Sequence, residues 1–408
     1  MGDRIEVPLG LADFVVCGSE LVNGVMEVMV ESVFPRACFH CGSMDVIGHG
    51  RHQRRLRDRS CGYPTVLIWQ QRRFRCRDCD RTSRERHPKT LGAKRITARF
   101  RALLAEQACS EPWSDLAQRE KVSWWRVADA FDEMADQYDP FIGPPPRVVS
   151  IDEAAIRPRF RYHTILSAPK LERLVELVEG RDKNSAGQAL RSLPPEWQHS
   201  IETVVIDMFW PFRRAIEEVL PQARIVADKF HVIRAVDAAA NKVRVRHGRR
   251  QTVVGRDGGL SRQHNPRFDP AVWRNRWLFQ KRATTLTTDQ RTVLEQLFAA
   301  HPEMGVAWWL KEAFAAIYQA QTRQEAEQRL NVWIHHLTQA GLTEFTNTWR
   351  SLAKWQEPIL AYFDDRQTNA YAEGITNKIK VLKRRGYGHR NTNRYRAKIL
   401  HITRHQPT

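Results

Sequence analysis

The chain has 408 residues, 42% hydrophobic and 27% charged, enough for two or three domains with buried cores. No apolar run approaches the ~18–20 residues that a membrane span needs, and the start MGDRIEVPLGLADF lacks the basic end and apolar stretch of a signal peptide, so a cytoplasmic protein is expected. Lys plus Arg number 65 against 46 Asp plus Glu; the net charge of +19 favours a polyanionic partner, above all nucleic acid, whose phosphates release counterions on binding, and no long basic amphipathic helix points to a membrane surface instead.

Residues 1–35 carry β-like runs such as Val25-Met26-Glu27-Val28-Met29-Val30. Two CxxC pairs follow, Cys38-Phe39-His40-Cys41 and Cys76-Arg77-Asp78-Cys79, with 34 residues between the inner cysteines. Each such turn presents two sulfurs to one ion, and two turns complete the closed tetrahedral shell of structural zinc. Cys17, Cys61 and Cys109 stand alone, a pattern that in the cytosol favours metal over disulfides. Residues 65–69 and 72–75 read as strands between the knuckles. The expectation is a zinc ribbon ligated by Cys38, Cys41, Cys76 and Cys79, with His40, His49, His52 and His87 as surface or DNA-facing groups. Residues 51–101 hold 17 Lys or Arg against 4 acidic residues, and Arg72, Arg73 and Arg75 are expected on the DNA-facing exterior.

Ile96, Phe100, Leu103 and Leu104 repeat at helical spacing and open a helical region over 96–136. Pro112 marks a second start, Lys121-Val122 a turn, and Ser123 the N-cap of a last helix from Trp124 to Asp136. Three helices with a short turn before the last fit a helix-turn-helix. Lys121 and Arg126 stand near the start of that helix, within reach of DNA. Trp124 and Trp125 there serve either as DNA contacts or as core. Pro144-Pro145-Pro146 stiffen a linker over 138–147.

Beyond the linker, residues 148–151, 162–166, 174–178, 203–206 and 224–227 read as strands, the first three as a meander and the last two each followed by a helix, which predicts an α/β fold. Residues 249–265 read as a loop. Residues 270–365 are helical and hold seven of the thirteen tryptophans, read as helical core. From 369 to 408, ten Lys or Arg accompany a single acid, Glu373.

Three carboxylates stand where acid is unexpected. Asp152 follows the apolar run 148–151, Asp207 follows 204–206, and Glu373 sits in the basic tail segment. Acids at the exits of adjacent strands, completed by one from a packed helix, suit two-metal phosphoryl transfer. An Asp after a strand is also a common turn or cap residue, and Glu153 competes with Asp152. On the predicted helix, Glu373, Asn377, Lys380 and Arg384 share one face, while Ile375, Ile379 and Leu382 share another. Asp228 and His231, after the strand at 224–227, are auxiliary candidates: Asp228 either assists the metals or caps the next helix, and His231 contacts the scissile phosphate or moves a proton.

Four passages together resemble the ISL3 group of insertion-sequence transposases: the paired knuckles; Val149-Ser150-Ile151-Asp152-Glu153; Val205-Ile206-Asp207-Met208 with Ile225-Val226-Ala227-Asp228-Lys229-Phe230-His231-Val232; and Ala372-Glu373-Gly374-Ile375-Thr376-Asn377-Lys378-Ile379-Lys380 continued by Arg384-Arg385-Gly386-Tyr387-Gly388 and Arg390-Asn391. The resemblance implies an RNase H-like core with Asp152, Asp207 and Glu373 as the DDE triad, a helical insertion, and Mg²⁺ or Mn²⁺ as cofactor beside the Zn²⁺ of the ribbon. The front modules would read the element's terminal inverted repeats. The expected layout is an N-terminal segment and zinc ribbon over 1–90, a helix-turn-helix over 91–137, the linker over 138–147, and the core over 148–400 with its insertion at about 250–365. Asn377, Lys380, Arg384, Arg385 and Arg390 are expected to face DNA. The partners are then double-stranded DNA and, on it, at least a second copy of the chain. A DNA-binding regulator without chemistry and a nuclease without strand transfer are the rival readings.

Overall fold

Val25–Ser32 alternates its side chains, with Met26, Val28 and Val30 buried, the period-two pattern of a strand with one inward face. In the computed structural model, which describes residues 9–91, 95–157, 161–248, 251–254, 260–263, 269–385 and 391–404, this strand is β2 of a seven-stranded sheet. The others are β1 (Phe14–Val22), β3 (Val46–Cys61), β4 (Tyr63–Cys76), β5 (Thr82–Arg84), β6 (Thr90–Leu91) and β7 (Ile96–Thr97). Their order is β1-β2-β4-β3-β7-β6, with β5 on β4. The two strands expected between the knuckles are one: β3 pairs with β4 from Val46↔Cys76 to Cys61↔Tyr63, and Gln70-Gln71 holds no glycine or proline to break it.

Three helices follow, α1 (Ala98–Ser110), α2 (Trp113–Arg119) and α3 (Trp124–Asp136), around the fully buried Phe100, Leu104, Leu116, Val127 and Phe131. Ile96 belongs to β7 rather than to the helix, because Thr97 is the N-cap and accepts from the Phe100 N–H. The Thr97 hydroxyl also donates to Asp58 Oδ1 at 2.6 Å, and Arg99 Nε donates to the same oxygen at 2.9 Å. Asp58, on β3, is wholly buried, so this carboxylate fixes the start of α1 to the sheet. Ser123 caps α3 as expected, accepting from the Arg126 N–H. Trp124 packs on Trp113, whereas Trp125 is 71% exposed. The last helix in the chain, α17 (Thr392–Arg404), packs on α1 and α3 and is tied to Asp132 by Arg394. All of this falls in one compact unit, Met1–Asp139 with Lys380–Thr408.

The second unit, Pro140–Ile379, is built on a five-stranded sheet. Its strands are β8 (Val148–Arg157), β9 (Arg161–Ala168), β10 (Arg173–Glu179), β11 (Thr203–Ile206) and β12 (Arg224–Ala227), in the order β10-β9-β8-β11-β12. β9 runs antiparallel to both its neighbours, and β8, β11 and β12 are parallel. The continuous apolar runs of the parallel strands are buried, as both-sided covering demands. Their helices are α4 (Lys183–Arg191), α5 (Pro195–Ser200), α6 (Trp210–Val219) and α7 (Lys229–Gly248).

The residues expected as a loop over 249–265 include two short paired strands, β13 (Gln251–Val254) and β14 (Leu260–Gln263); the rest of that stretch lies outside the described residues. Eight helices occupy the Trp-rich stretch: α8 (Pro270–Arg274), α9 (Arg276–Gln280), α10 (Thr288–Ala300), α11 (Pro302–Ile317), α12 (Arg323–Ala340), α13 (Thr343–Leu352), α14 (Gln356–Leu360) and α15 (Tyr362–Asp365). The reading of their tryptophans as core holds for Trp333 and Trp355, while Trp308 and Trp349 are partly buried against that core. It fails for Trp273, Trp277 and Trp309, each about half exposed. Arg276 lies over the Trp273 ring and Lys281 over Trp277, contacts that hold the rings at the surface. Among the described residues no helix is long and apolar enough to cross a membrane.

Replacing Asp58 with Asn leaves Arg99 facing a neutral amide in a buried setting, and unpairing a buried ion typically costs about 3 kcal/mol. The Asp58→Asn protein is expected to lose about that much stability in the transition of the N-terminal unit alone. Denaturant melts followed by calorimetry check this; an unchanged first transition would remove Asp58 from its proposed role.

Candidate functional site

The register of the parallel strands lines up three aspartates. Ile151 pairs with Ile206 and Ile206 with Ala227, so Asp152, Asp207 and Asp228 each occupy the next position along adjacent strands. The sequence suggested that Asp152 marks a strand exit. Instead β8 continues to Arg157 along β9, and Asp152 sits mid-strand where its other neighbour, β11, stops. Successive strand residues face opposite ways, which separates Asp152 from its competitor: Glu153 pairs with Arg181 at 3.2 Å.

Asp207, Asp228 and His231 bring one ligand atom each within 4.8 Å of one another. The imidazole Nδ1 hydrogen-bonds Asp228 Oδ2 at 3.0 Å and lies 2.9 Å from Asp207 Oδ1. Asp207 and then Asp228 push the His231 pKa up to about 10, so the ring is a cation. The one Nδ1–H faces both carboxylates, so the buried Asp207 Oδ1 is ion-paired with the imidazolium at 2.9 Å and has no other donor among the described residues. Burial, and next the Asp207 carboxylate, push Asp152 up to about 6. A half-buried pair of carboxylates that repel one another fits a cation site.

Asp228 differs from the other two aspartates. Its Oδ1 accepts the Asn369 backbone N–H at 3.2 Å and its Oδ2 serves His231, so both oxygens are committed to protein donors. Asn369 immediately precedes α16 (Ala370–Arg385), the helix that carries Glu373. On α16 Ala372, Ile375, Ile379 and Leu382 are buried, and Glu373, Asn377, Lys380, Arg384 and Arg385 are exposed. The Thr376 hydroxyl, one turn after Glu373, donates to Asp152 Oδ2 at 3.2 Å. Glu373 and Asp152 fall outside the close trio of Asp207, Asp228 and His231. The two tethers from Asn369 and Thr376 were absent from the sequence reading. The only signal for them is the helical offset of Thr376 from Glu373 and an Asn at the head of the helix.

The four knuckle sulfurs also converge within 4.8 Å of one another. Cys38 Sγ lies 3.6 Å from Cys79 Sγ, and Cys41 Sγ lies 3.6 Å from Cys76 Sγ. A tetrahedron with Zn–S bonds of about 2.3 Å has edges of roughly 3.8 Å, so the cluster can hold zinc. The Cys41 backbone N–H, aided by the His40 N–H, holds the Cys38 thiol down to about 7 against the opposing effect of burial, while Cys41, despite the Ser43 backbone N–H, is pushed up to about 12 by the neighbouring Cys76 sulfur and burial, so without an ion the four sulfurs share their protons unequally.

The residues expected to face DNA divide. Arg72 is 15% exposed at its side chain, pairs with Glu85 and donates to Phe34 O, so it is a structural cation rather than an exterior one. The sequence misjudged it because its buried partner is 13 residues away on another segment. Arg73 is exposed, and Arg75 is exposed but paired with Asp80. Lys121 is exposed, in a left-handed turn at φ 49°, and Arg126 is half-buried. Arg390 lies outside the described residues.

Residues 149–399, more than half of the chain, match the family model of ISL3-type DDE transposases, described simply as "Transposase". The chain belongs to this transposase family. It is 26% identical over 369 residues to the transposase for insertion sequence element IS1001 of Bordetella parapertussis, covering 89% of this chain and 87% of that one. The transposase for IS1557 of Mycobacterium tuberculosis is 24% identical over 273 residues, with 64% of this chain and 61% of that protein covered. The matched segment of the transposase contains Asp152, Asp207, Asp228, His231 and Glu373 and begins well after the cysteine cluster.

Purified transposase is expected to carry one zinc ion per chain, and Cys76→Ser to reduce that severalfold with loss of the N-terminal melting transition. Elemental analysis and thiol titration of reduced protein decide it: seven free thiols with no zinc would exclude the zinc ribbon.

Proposed function

We propose that this transposase binds the terminal inverted repeats of its insertion sequence, cleaves DNA there and joins the freed 3′-hydroxyls to target DNA, using Asp152, Asp207 and Glu373 as its acidic triad. The observation that carries the reading is the in-register pairing of β8 with β11, which sets Asp152 beside Asp207 while Thr376 ties the helix of Glu373 to Asp152. Three antiparallel strands continued by two parallel ones, with helices between, support an RNase H-like core over 148–400 interrupted by the helices at about 250–365.

Asp152, Asp207 and Glu373 would hold Mg²⁺ or Mn²⁺, which when bound supplies activation of the attacking oxygen and charge neutralisation at the leaving oxygen. Asp228 is a positioning residue: it orients His231 and anchors the start of α16. His231, a cation beside Asp207, can steady the scissile phosphate. In the first step a water oxygen attacks phosphorus and the 3′-oxygen leaves; in the second that 3′-hydroxyl attacks a target phosphodiester. No covalent enzyme intermediate arises, so no Ser or Tyr nucleophile is assigned.

The cysteine cluster and the α1–α3 helices serve as the DNA reader, a zinc ribbon beside a helix-turn-helix. Trp125, Lys121 and Arg126 stand at the start of α3, and Arg73 lies on β4. Asn377, Lys380, Arg384 and Arg385 extend a basic face along α16. Joining two element ends calls for at least a dimer on DNA.

The test is a strand-transfer assay with the native element ends and a target plasmid, in Mg²⁺ and in EDTA. Asp207→Ala should lower cleavage by at least about a thousandfold while end binding stays within about twofold. Cleavage without joined products, even from pre-cut ends, would replace the transposition mechanism with a nuclease; binding without metal-dependent cleavage would leave a regulator. Thr376→Val should raise the Mg²⁺ concentration needed for half-maximal cleavage several-fold, and Thr376→Ser should restore it; equal metal dependence in all three proteins would remove the tether's role.

A further inference from the structure

Beside the first cysteine knuckle, on one face of β3, β4 and β5, lies a cavity of about 850 Å³. This is within the roughly 300–1,000 Å³ of small-molecule sites. Trp69, Gln71 and His87 contribute to its lining, and each is at most 3% exposed. Each also carries a polar atom with no hydrogen-bond partner among the described residues: Trp69 Nε1, Gln71 Oε1 and His87 Nε2. The other ends of two of these groups are fixed. Gln71 Nε2 donates to Glu85 O at 2.6 Å, so its oxygen is the free acceptor. His87 Nδ1 accepts the Lys89 N–H at 3.2 Å, so in the neutral ring Nε2 carries the proton. The set is thus the indole donor and the amide acceptor, each costly to leave unmatched, while His87 Nε2 lies 4.0 Å from Asp13 Oδ2.

The rim is cationic and aromatic. Arg54, which pairs across the sheet with Trp69, lines the cavity together with Arg84 and Arg86. Burial, then Arg95 and Arg84, depress the Arg54 guanidinium, a sign of crowded positive charge. Glu85, the one acid in the lining, is already neutralised by Arg72. Arg86 stacks over Phe39, a residue of the Cys38–Cys41 knuckle, with Cζ 3.2 Å from the ring centre. Guanidinium groups for phosphate, a ring for stacking and a mixed donor–acceptor floor form a combination suited to a nucleotide.

We propose that this cavity receives one unstacked nucleotide of the DNA bound by the N-terminal unit, its base over Trp69, Gln71 and His87 and its phosphate among Arg54, Arg84 and Arg86. Extruding a base costs a few kcal/mol of stacking and pairing, which a prepared pocket offsets. The site would therefore make end recognition depend on a deformable step in the repeat as well as on groove contacts. The inference rests on the proposed binding of terminal repeats.

The experiment uses the full-length, zinc-loaded protein and duplexes of the element end carrying 2-aminopurine at successive positions. At one position fluorescence should rise severalfold on binding, and the Arg84→Gln/Arg86→Gln protein should lose that rise and bind the duplex about tenfold more weakly. Arg59→Gln, an exposed arginine outside the cavity lining, controls for lost charge and should keep the rise. Trp69→Phe, which removes only the indole donor and part of the ring, should diminish the rise without loss of zinc. Normal end binding with no rise at any position overturns the pocket and leaves the DNA reading standing; no end binding at all overturns the DNA reading itself. In parallel, ¹⁵N-labelled indole signals are followed with deoxynucleoside monophosphates and with inorganic phosphate. A Trp69 shift with phosphate alone would reduce the cavity to a simple anion site, and tight binding of free mononucleotide without the DNA effect would make the occupant a soluble nucleotide; either result overturns the extruded base.

Discussion

The unit Pro140–Ile379 depends on one constraint: the parallel pairing of β8, β11 and β12 without a register shift. Strand residues rise by about 3.3 Å and strands lie about 4.8 Å apart, so residues at one level of adjacent strands have neighbouring side chains. Since Ile151, Ile206 and Ala227 are at one level, the acids that follow them are neighbours however far apart they stand in sequence. A one-residue slip of β11 would turn Asp207 to the other face. The apolar runs that precede the acids prevent it, because both faces of these strands are buried and a slip would misplace Val204, Val205 and Ile206 together.

The same pairing explains how three similar aspartates take different roles. Asp228 has both oxygens engaged by protein donors, while Asp207 faces the imidazolium it shares with Asp228 and Asp152 accepts from a neutral hydroxyl and a backbone N–H. His231 then acts as a resident positive charge between Asp207 and Asp228, limiting their repulsion before any cation arrives.

Asp152 and Asp207 stood out because each follows a short, mostly apolar run, Val148-Val149-Ser150-Ile151 in one case and Val204-Val205-Ile206 in the other. The helical face of α16 was legible for the same reason, since periodicity fixes which side chains share a side. What sequence could not supply were relations set by pairing rather than by local pattern. Asp152 reads as a strand exit only if β9 is ignored, because β9 carries β8 past the point where β11 ends. The tethers of Thr376 and Asn369 join residues more than 140 positions apart in the chain. Arg72 reads as a surface cation until Glu85 is folded against it. Tryptophans on short helices were misjudged because amphipathic spacing says little over five residues, and cations cover their rings instead.

The cysteine cluster has a further consequence. Two of its sulfur contacts, Cys38 with Cys79 and Cys41 with Cys76, each 3.6 Å, run from one knuckle to the other. A chain stripped of metal in an oxidising medium would therefore be stapled crosswise, locking the ends of β3 and β4 together in near-native spacing. Such a cross-link would occupy the sulfurs an ion needs, so oxidised protein would resist metal loading until a reductant is supplied.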